Sequence, residues 1–341
     1  MAPSSLEHGL RLPPFLRRRR APALIGVLVV LALAAWLVGR PLLGGDGGPP
    51  ERVRLSTGVP SGVYARYGQL LKEQLDRDAA GMDLTVRQSA GSVENIKRLV
   101  EGETDFAIAT ADAIAAYIAA GGEGAERLRA CARLYDDYIQ LVVPAASGVQ
   151  TITDLRGLRV GVGQDESGVQ PAARELLAAA GLDMETDIEP VREGIDAMPR
   201  LLEAGRIDAF FWSGGLPTSA IQRLADYYDI RLVPLGDLMQ ALAERSPQNS
   251  FYRAAVLPPD AYPEIAGGEV VDTIAVANLL VTTEALDDAL VEQMTRSVIN
   301  GRDRIGLEVH AAQRVDLRTA IYTQPLELHD GAREYYRSAK S

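Results

Sequence analysis

Beyond residue 50, apolar and polar positions fall into two alternating rhythms. Short apolar runs of strand character give way to segments of helical spacing. The order is "RVRLST", "YARYGQLLKEQLDRD", "MDLTVRQSA", "SVENIKRLVEGE" and "TDFAIATAD". Strand followed by helix, repeated, predicts an α/β sheet with parallel strands. A second series begins at "LRVGVG" (158–163), passes through "PAARELLAAAGL" and reaches "IDAFFWSGG" (207–215). No short-period repeat is visible, and 341 residues accommodate two α/β lobes.

The first 50 residues follow neither rhythm. Arg17, Arg18, Arg19 and Arg20 precede an uncharged apolar run from Ala21 to Val38, which Arg40 closes. As a helix those residues would span roughly 27 Å, marginally enough for a bilayer core. Arginines on one flank hold that flank in the cytoplasm, so the remainder is expected outside it. Two readings of the segment compete, a cleaved signal peptide and a retained anchor. The length of the run and the lack of a small-x-small cleavage site in "AAWLVGRPLL" favour the anchor. The expected organisation is a basic tail (1–20), an anchor or signal segment (21–38) and a Gly/Pro linker (39–50) that includes "GGDGGPP".

Charge sharpens the contrast between the two parts. The chain carries −11, yet its first 50 residues contribute +4, from six Arg against Glu7 and Asp46, which leaves −15 for the body. An acidic exported body excludes nucleic acid as a natural partner, because phosphate binding needs clustered Lys and Arg. The single cysteine, Cys131, rules out an intrachain disulfide and lies too far from the export segment for a lipid anchor. Its setting, "ERLRACARLY", reads as a buried structural position. With apolar residues at 47%, stability is expected from packing.

Three loops share one design. "STGVPSGVYARYG" (56–68) follows a strand and opens a helix, so free amides near Ser61 to Tyr64 form a helix start that attracts a carboxylate. "SAGSVENI" (89–96) repeats the arrangement, with Ser92 as expected N-cap and Asn95 at the N3 place. In the second series "GVGQDESGVQPAAR" leads Ser167 and Gly168 into another helix. One such loop is most simply a plain cap. Three at the carboxyl ends of strands suggest a ligand site, since open α/β sheets bind ligands there. "GVGQDESG" lacks the dinucleotide spacing, and no P-loop occurs.

Catalytic constellations are missing from the pattern. The three histidines, His8, His310 and His329, have no metal-set spacing. Neither a G-x-S-x-G elbow nor an H-E-x-x-H motif is present, and paired carboxylates such as those of "ALDDAL" read as solvated helix faces. The expectation is a non-enzymatic protein without metal or cofactor. "LYDDYIQLVV" (134–143) reads as a strand with an acidic edge, and Asp136 and Asp137 are given no role.

Six motifs in order carry a resemblance: "TGVPSGVYARYG", "AGSVENIKRLVEGETDFAIATAD", "DLRGLRVGVGQDESG", "GRIDAFFWSGGLPTSAIQRLA", "DTIAVANLLVT" and "LHDGAREYY". From about Val53 to Tyr336 the chain resembles the TAXI-type solute-binding subunits of tripartite ATP-independent periplasmic (TRAP) transporters. That resemblance implies a two-lobed type II periplasmic binding protein fold. Its first lobe would comprise residues 51–145 plus 271–341, with the second lobe, 146–270, inserted. It also implies capture of a small organic acid or amino acid, such as glutamate or 2-oxoglutarate, for delivery to integral-membrane transporter subunits. Carried over by position, the cleft would be bordered by Ser61, Gly62, Val63, Tyr64, Ser92, Val93, Thr110 and Asp112. From the second lobe it would take Gln164, Ser167, Gly168, Val169, Trp212, Ser213 and Gly214. Tyr64 and Trp212 would cover an apolar stem and still offer a hydrogen bond.

Departures from the family pattern bear on the substrate. Val59 and Pro60 interrupt a loop usually richer in Gly and Thr, Thr110 stands where Gln is usual, Glu166 replaces a glycine and Val169 a threonine. Glu166 is added to the expected site; its carboxylate either faces the cleft, where it would pair with an ammonium group on the ligand, or points to solvent from the loop rim. A tethered sensor ectodomain is the alternative to transport, but the short cytoplasmic tail leaves no segment to carry a signal. The expected location is the extracytoplasmic face of the membrane through the N-terminal helix, or the periplasm or medium after cleavage.

Overall fold

The computed structural model describes residues 51–78, 81–265 and 269–339. The expected tail, anchor and linker (residues 1–50) lie outside the described residues. Among the described residues no helix is long and apolar enough to cross a membrane.

β1 (Glu51–Ser56) pairs in parallel with β2 (Met82–Arg87) and β3 (Phe106–Thr110). The crossovers between them are α1 (Val63–Arg77) and α2 (Ser92–Val100), and α3 (Ala111–Ala119) follows β3. α1 forms because Tyr67, Leu70, Leu71 and Leu75 fall on one face, and all four are buried. β3 is buried along its whole length, and its side chains alternate between two cores. Phe106 and Ile108 pack with Leu71 and Met294, while Ala107 and Ala109 pack with Ile96 and Ile114.

The second series is built alike. β5 (Arg159–Gly161) lies parallel to β6 (Glu189–Val191) and β7 (Ala209–Gly214), with α4 (Val169–Ala179) and α5 (Met198–Glu203) as crossovers. On β7, Phe211 joins the core of Leu141, Val160 and Leu176, whereas Phe210 joins that of Val142, Met198 and Ile221. α6 (Ser219–Ala225), β8 (Ile230–Val233), α7 (Met239–Arg245) and β9 (Tyr252–Leu257) complete this part.

Two long strands belong to both halves. β4 (Leu128–Pro144) and β10 (Val271–Thr283) run antiparallel to each other; β10 changes its other partner midway, and β4 leaves β10 midway to pair with two further strands. Residues 138–142 of β4 pair with β7 and 141–144 with β8. In β10, 271–276 pair with β9 and 278–281 with β3. The ladder is therefore continuous across ten strands, although the cores on either side are separate. Helices α8 (Asp288–Ile305) and α9 (Asp330–Ser338) return the chain to the first core, where Cys131 is buried as expected.

Candidate functional site

The parallel strands of both halves end toward one void. Its walls come from the loops after β1, β2, β5 and β6 and from the carboxyl ends of β3 and β7, with β4 beneath. The empty space is about 660 Å³ including its open mouth. Twelve of the expected residues line it: Gly62, Val63, Tyr64, Ser92, Thr110, Gln164, Ser167, Gly168, Val169, Trp212, Ser213 and Gly214. Four of the expected residues, Ser61, Val93, Asp112 and Glu166, are not among its lining.

Two of them have a physical reason to face elsewhere. The Asp112 carboxylate is buried and accepts a 2.6 Å hydrogen bond from the Tyr252 hydroxyl, on a strand 140 residues away. Burial pushes its pKa up, against the pull of its hydrogen bonds to Thr110 and Tyr252. Glu166 stands at φ 62°, in the left-handed region where a glycine would be unstrained. Its side chain turns outward to Lys97 on α2, 3.6 Å away, which is the rim alternative and not the cleft-facing one. The Ser61 hydroxyl is buried and unpaired, away from the void.

The helix starts differ in detail from the expectation. α1 and α2 begin after Gly62 and Gly91, and neither receives a side-chain cap. Ser92, expected as a cap, instead accepts a 3.1 Å hydrogen bond from the Thr110 amide at the end of β3. Asn95 is fully buried and donates to the carbonyls of Thr57 (2.6 Å) and Ile108 (2.7 Å), while Ser56 donates to its amide oxygen at 2.6 Å. It ties β1, α2 and β3 together behind the void.

Both aromatics line the void with their polar atoms already engaged. The Tyr64 hydroxyl donates to Asn278 Oδ1 and lies 3.2 Å from Ser92 Oγ. Burial, with Asp137 adding to it, pushes this phenol well above its ordinary pKa, so it remains protonated. The Trp212 indole donates to Thr218 Oγ1 at 2.9 Å and passes close over Gly214, where a Cβ would meet Nε1 at 2.5 Å. Each therefore offers a ring to a ligand and no free donor.

Sequence reasoning missed Asp137, which is 3% exposed and lines the void. Asn278 donates to its Oδ1 at 2.7 Å. Burial lifts its pKa to about 7, opposed by the Asn278 hydrogen bond. Its neighbour Asp136 faces the other way and pairs with Arg133 and Arg253, which matches the acidic edge expected of this strand. The missed signal was an acid on the face of β4 whose next inward positions, Ile139 and Leu141, are core residues. Gly58, Val59, Ala90, Gly91, Gly163, Glu193, Gly194, Ile195, Met198 and Phe211 also line the void without having been expected there.

The two halves touch across the mouth. The Glu94 amide donates to the Glu166 carbonyl at 3.1 Å, and Gln164 Nε2 donates to the Ala90 carbonyl at 3.3 Å. Gly91 and Gly168 meet backbone to backbone: a Cβ on Gly91 would lie 3.3 Å from the Gly168 nitrogen. Among the described residues no group of three or more His, Cys, Asp or Glu is arranged to hold a metal ion.

Comparison with known proteins agrees with this architecture. A family model described as the NMT1-like family matches residues 55–339. A protein of Bordetella bronchiseptica RB50 superposes with a TM-score of 0.54 at 16% identity, covering 85% of this chain and 98% of that one. The periplasmic binding protein BugD gives a TM-score of 0.53 at 11% identity, covering 78% of this chain and 89% of its own. At such identities the likeness establishes the fold, a two-lobed α/β architecture of periplasmic-binding-protein type.

Proposed function

Because the chain belongs to the NMT1-like family, whose members are solute-binding proteins for transport and not enzymes, we propose that its cleft captures a small carboxylate-bearing solute outside the cytoplasm. The solute is an amino acid or organic acid, and the loaded protein delivers it to an integral-membrane transporter of the TRAP type. One observation carries the reading. Two helix starts without side-chain caps, at Gly62–Val63 and Gly168–Val169, border one void from opposite lobes. Free amides and aligned dipoles there favour an anionic group.

The lobes of this proposal are residues 51–145 with 271–341, and 146–270. The change of partners within β4 and β10 supports a hinge at residues 137–138 and 276–278, because there each strand leaves one core and enters the other. The membrane connection is the Ala21–Val38 helix, a proposal resting on the sequence alone.

A thermal-shift screen of amino acids, monocarboxylates and dicarboxylates tests the capture. A ligand at 100 times its Kd adds about 2.7 kcal/mol of apparent stability, enough for a clear shift. Trp212→Ala, which removes a wall of the void, should reduce the shift of every hit. A screen in which no carboxylate raises the melting temperature would refute the reading.

A further inference from the structure

The charge around the void is one-sided. Of its described lining residues, Asp137 and Glu193 are acidic and none is Lys, Arg or His. Glu193 is exposed at the mouth, whereas Asp137 is buried at the floor, where the lobes exchange strands. A dicarboxylate would bring a second negative charge against Asp137 with no cation to offset it, and such burial is costly. An ammonium group would offset it, through charge and through its own N–H donors.

Hydrogen bonds hold that carboxylate in place. Asn278 engages Oδ1 at 2.7 Å and is itself fixed by the Tyr64 hydroxyl. The Ser167 hydroxyl, 5% exposed, lines the same void without a hydrogen-bond partner, a buried polar group waiting for one. Most of the remaining side-chain surface is apolar, from Val59, Val63, Val169, Ile195, Met198 and Trp212. Building on the capture of a carboxylate proposed above, we infer that Asp137 recognises an ammonium group and that the solute is an α-amino acid with an apolar side chain. Its carboxylate lies at the helix starts, its ammonium on Asp137 and its side chain against the apolar wall.

Proton linkage follows from the surroundings of Asp137. Asp112 on α3 and Asp136 on its own strand add to the effect of burial in raising its pKa to about 7, while Asn278 and Ser213 oppose them. Tyr64 and Tyr135 also face it as neutral phenols, both pushed well above their ordinary range by burial. Arg133 and Arg253 are engaged by Asp136, and Glu193 stands at the mouth. A bound ammonium keeps Asp137 ionised, so below pH 7 binding must first release its proton.

Calorimetry with leucine and its des-amino analogue, 4-methylpentanoate, decides the matter. Wild type should bind leucine about tenfold more tightly at pH 8 than at pH 6, and 4-methylpentanoate more weakly at pH 8 than at pH 6. Asp137→Asn should abolish both trends, weaken leucine by about 30-fold or more and strengthen 4-methylpentanoate. Should the variant fail to fold, the preference of wild type for leucine over 4-methylpentanoate at pH 8 decides. The assignment is overturned if leucine does not bind, if wild type binds it no more tightly than 4-methylpentanoate at pH 8, or if Asp137→Asn binds it as tightly. In each of those cases another carboxylate from the screen that binds would leave carboxylate capture standing. No carboxylate hit at all would remove both.

Discussion

In the first lobe the Arg54 amide and Nε donate to one oxygen of Asp105, at 2.7 and 3.0 Å, while its terminal nitrogen takes the other at 2.9 Å. In the second, Arg159 grips Asp208 through the same three atoms at 2.9, 3.0 and 2.6 Å. In both, the Asp amide returns a bond to the Arg carbonyl. Each clamp joins the first strand of its lobe to the residue before the next-but-one strand, at the sheet end away from the cleft. The cleft faces, by contrast, differ. The first lobe backs its face with a satisfied polar network of Ser56, Asn95, Ser92, Tyr64 and Asn278. The second presents glycines and apolar side chains, with Gln164, Glu193 at the mouth and the unpaired Ser167 and Ser213. One lobe is thus a fixed polar platform and the other a smooth cover, so specificity for charge should reside in the platform and the hinge.

The largest test of that division concerns the hinge. A carboxyl whose native pKa is raised contributes stability that is fully present below its unfolded value, near 4, and is lost as pH rises through about 7. Without ligand, wild type should therefore fall behind Asp137→Asn by up to about 4 kcal/mol between pH 4 and pH 8. Urea unfolding at the two pH values measures it, and a constant difference would mean that Asp137 is ordinarily ionised in the folded protein.

Next in size is the platform itself. Asn95→Ala removes three buried hydrogen bonds, to the Thr57 and Ile108 carbonyls and from the Ser56 hydroxyl, and should cost about 3 kcal/mol. Ser167→Ala in the cover should change stability by no more than about 0.5 kcal/mol, since its hydroxyl has no bond to lose. Comparable losses in the two variants would erase the contrast between the lobes.

The smallest effect is expected where the lobes meet. Gly168→Ala would place a Cβ 2.9 Å from Ser92 Oγ, holding the cover off the platform. Its unfolding midpoint should stay near wild type, while affinity for any ligand found falls about tenfold. Unaltered affinity would show that binding does not need the two glycines in contact.

Much of the fold was legible because each βα unit writes its own period into the sequence, and the three glycine-bearing loops reached the void. What escaped notice depended on distant pairing. Asp137 resembles its neighbour Asp136 in every local respect; which of them faces inward follows from β10, whose Val276 stands opposite Asp137. The partner of Asp112 is Tyr252, which no local pattern links to it. The two readings of Glu166 stayed open because a loop residue's direction depends on φ, and its positive value goes with a side chain turned to the rim. The proposed insertion of one lobe in the other rests on the resemblance to type II binding proteins, since periodicity alone does not contain it.

The pairing of β3 with β10 sets a schedule for the making of the protein. β3, buried on both faces, takes one of its neighbours from residues 278–281, synthesised about 170 residues after it. Every strand of the second lobe's parallel set, β5 to β7, already exists by residue 214. A chain elongating from its amino terminus thus holds an apolar strand edge open while the whole second lobe is made. The lobe that begins first is the last that can be finished.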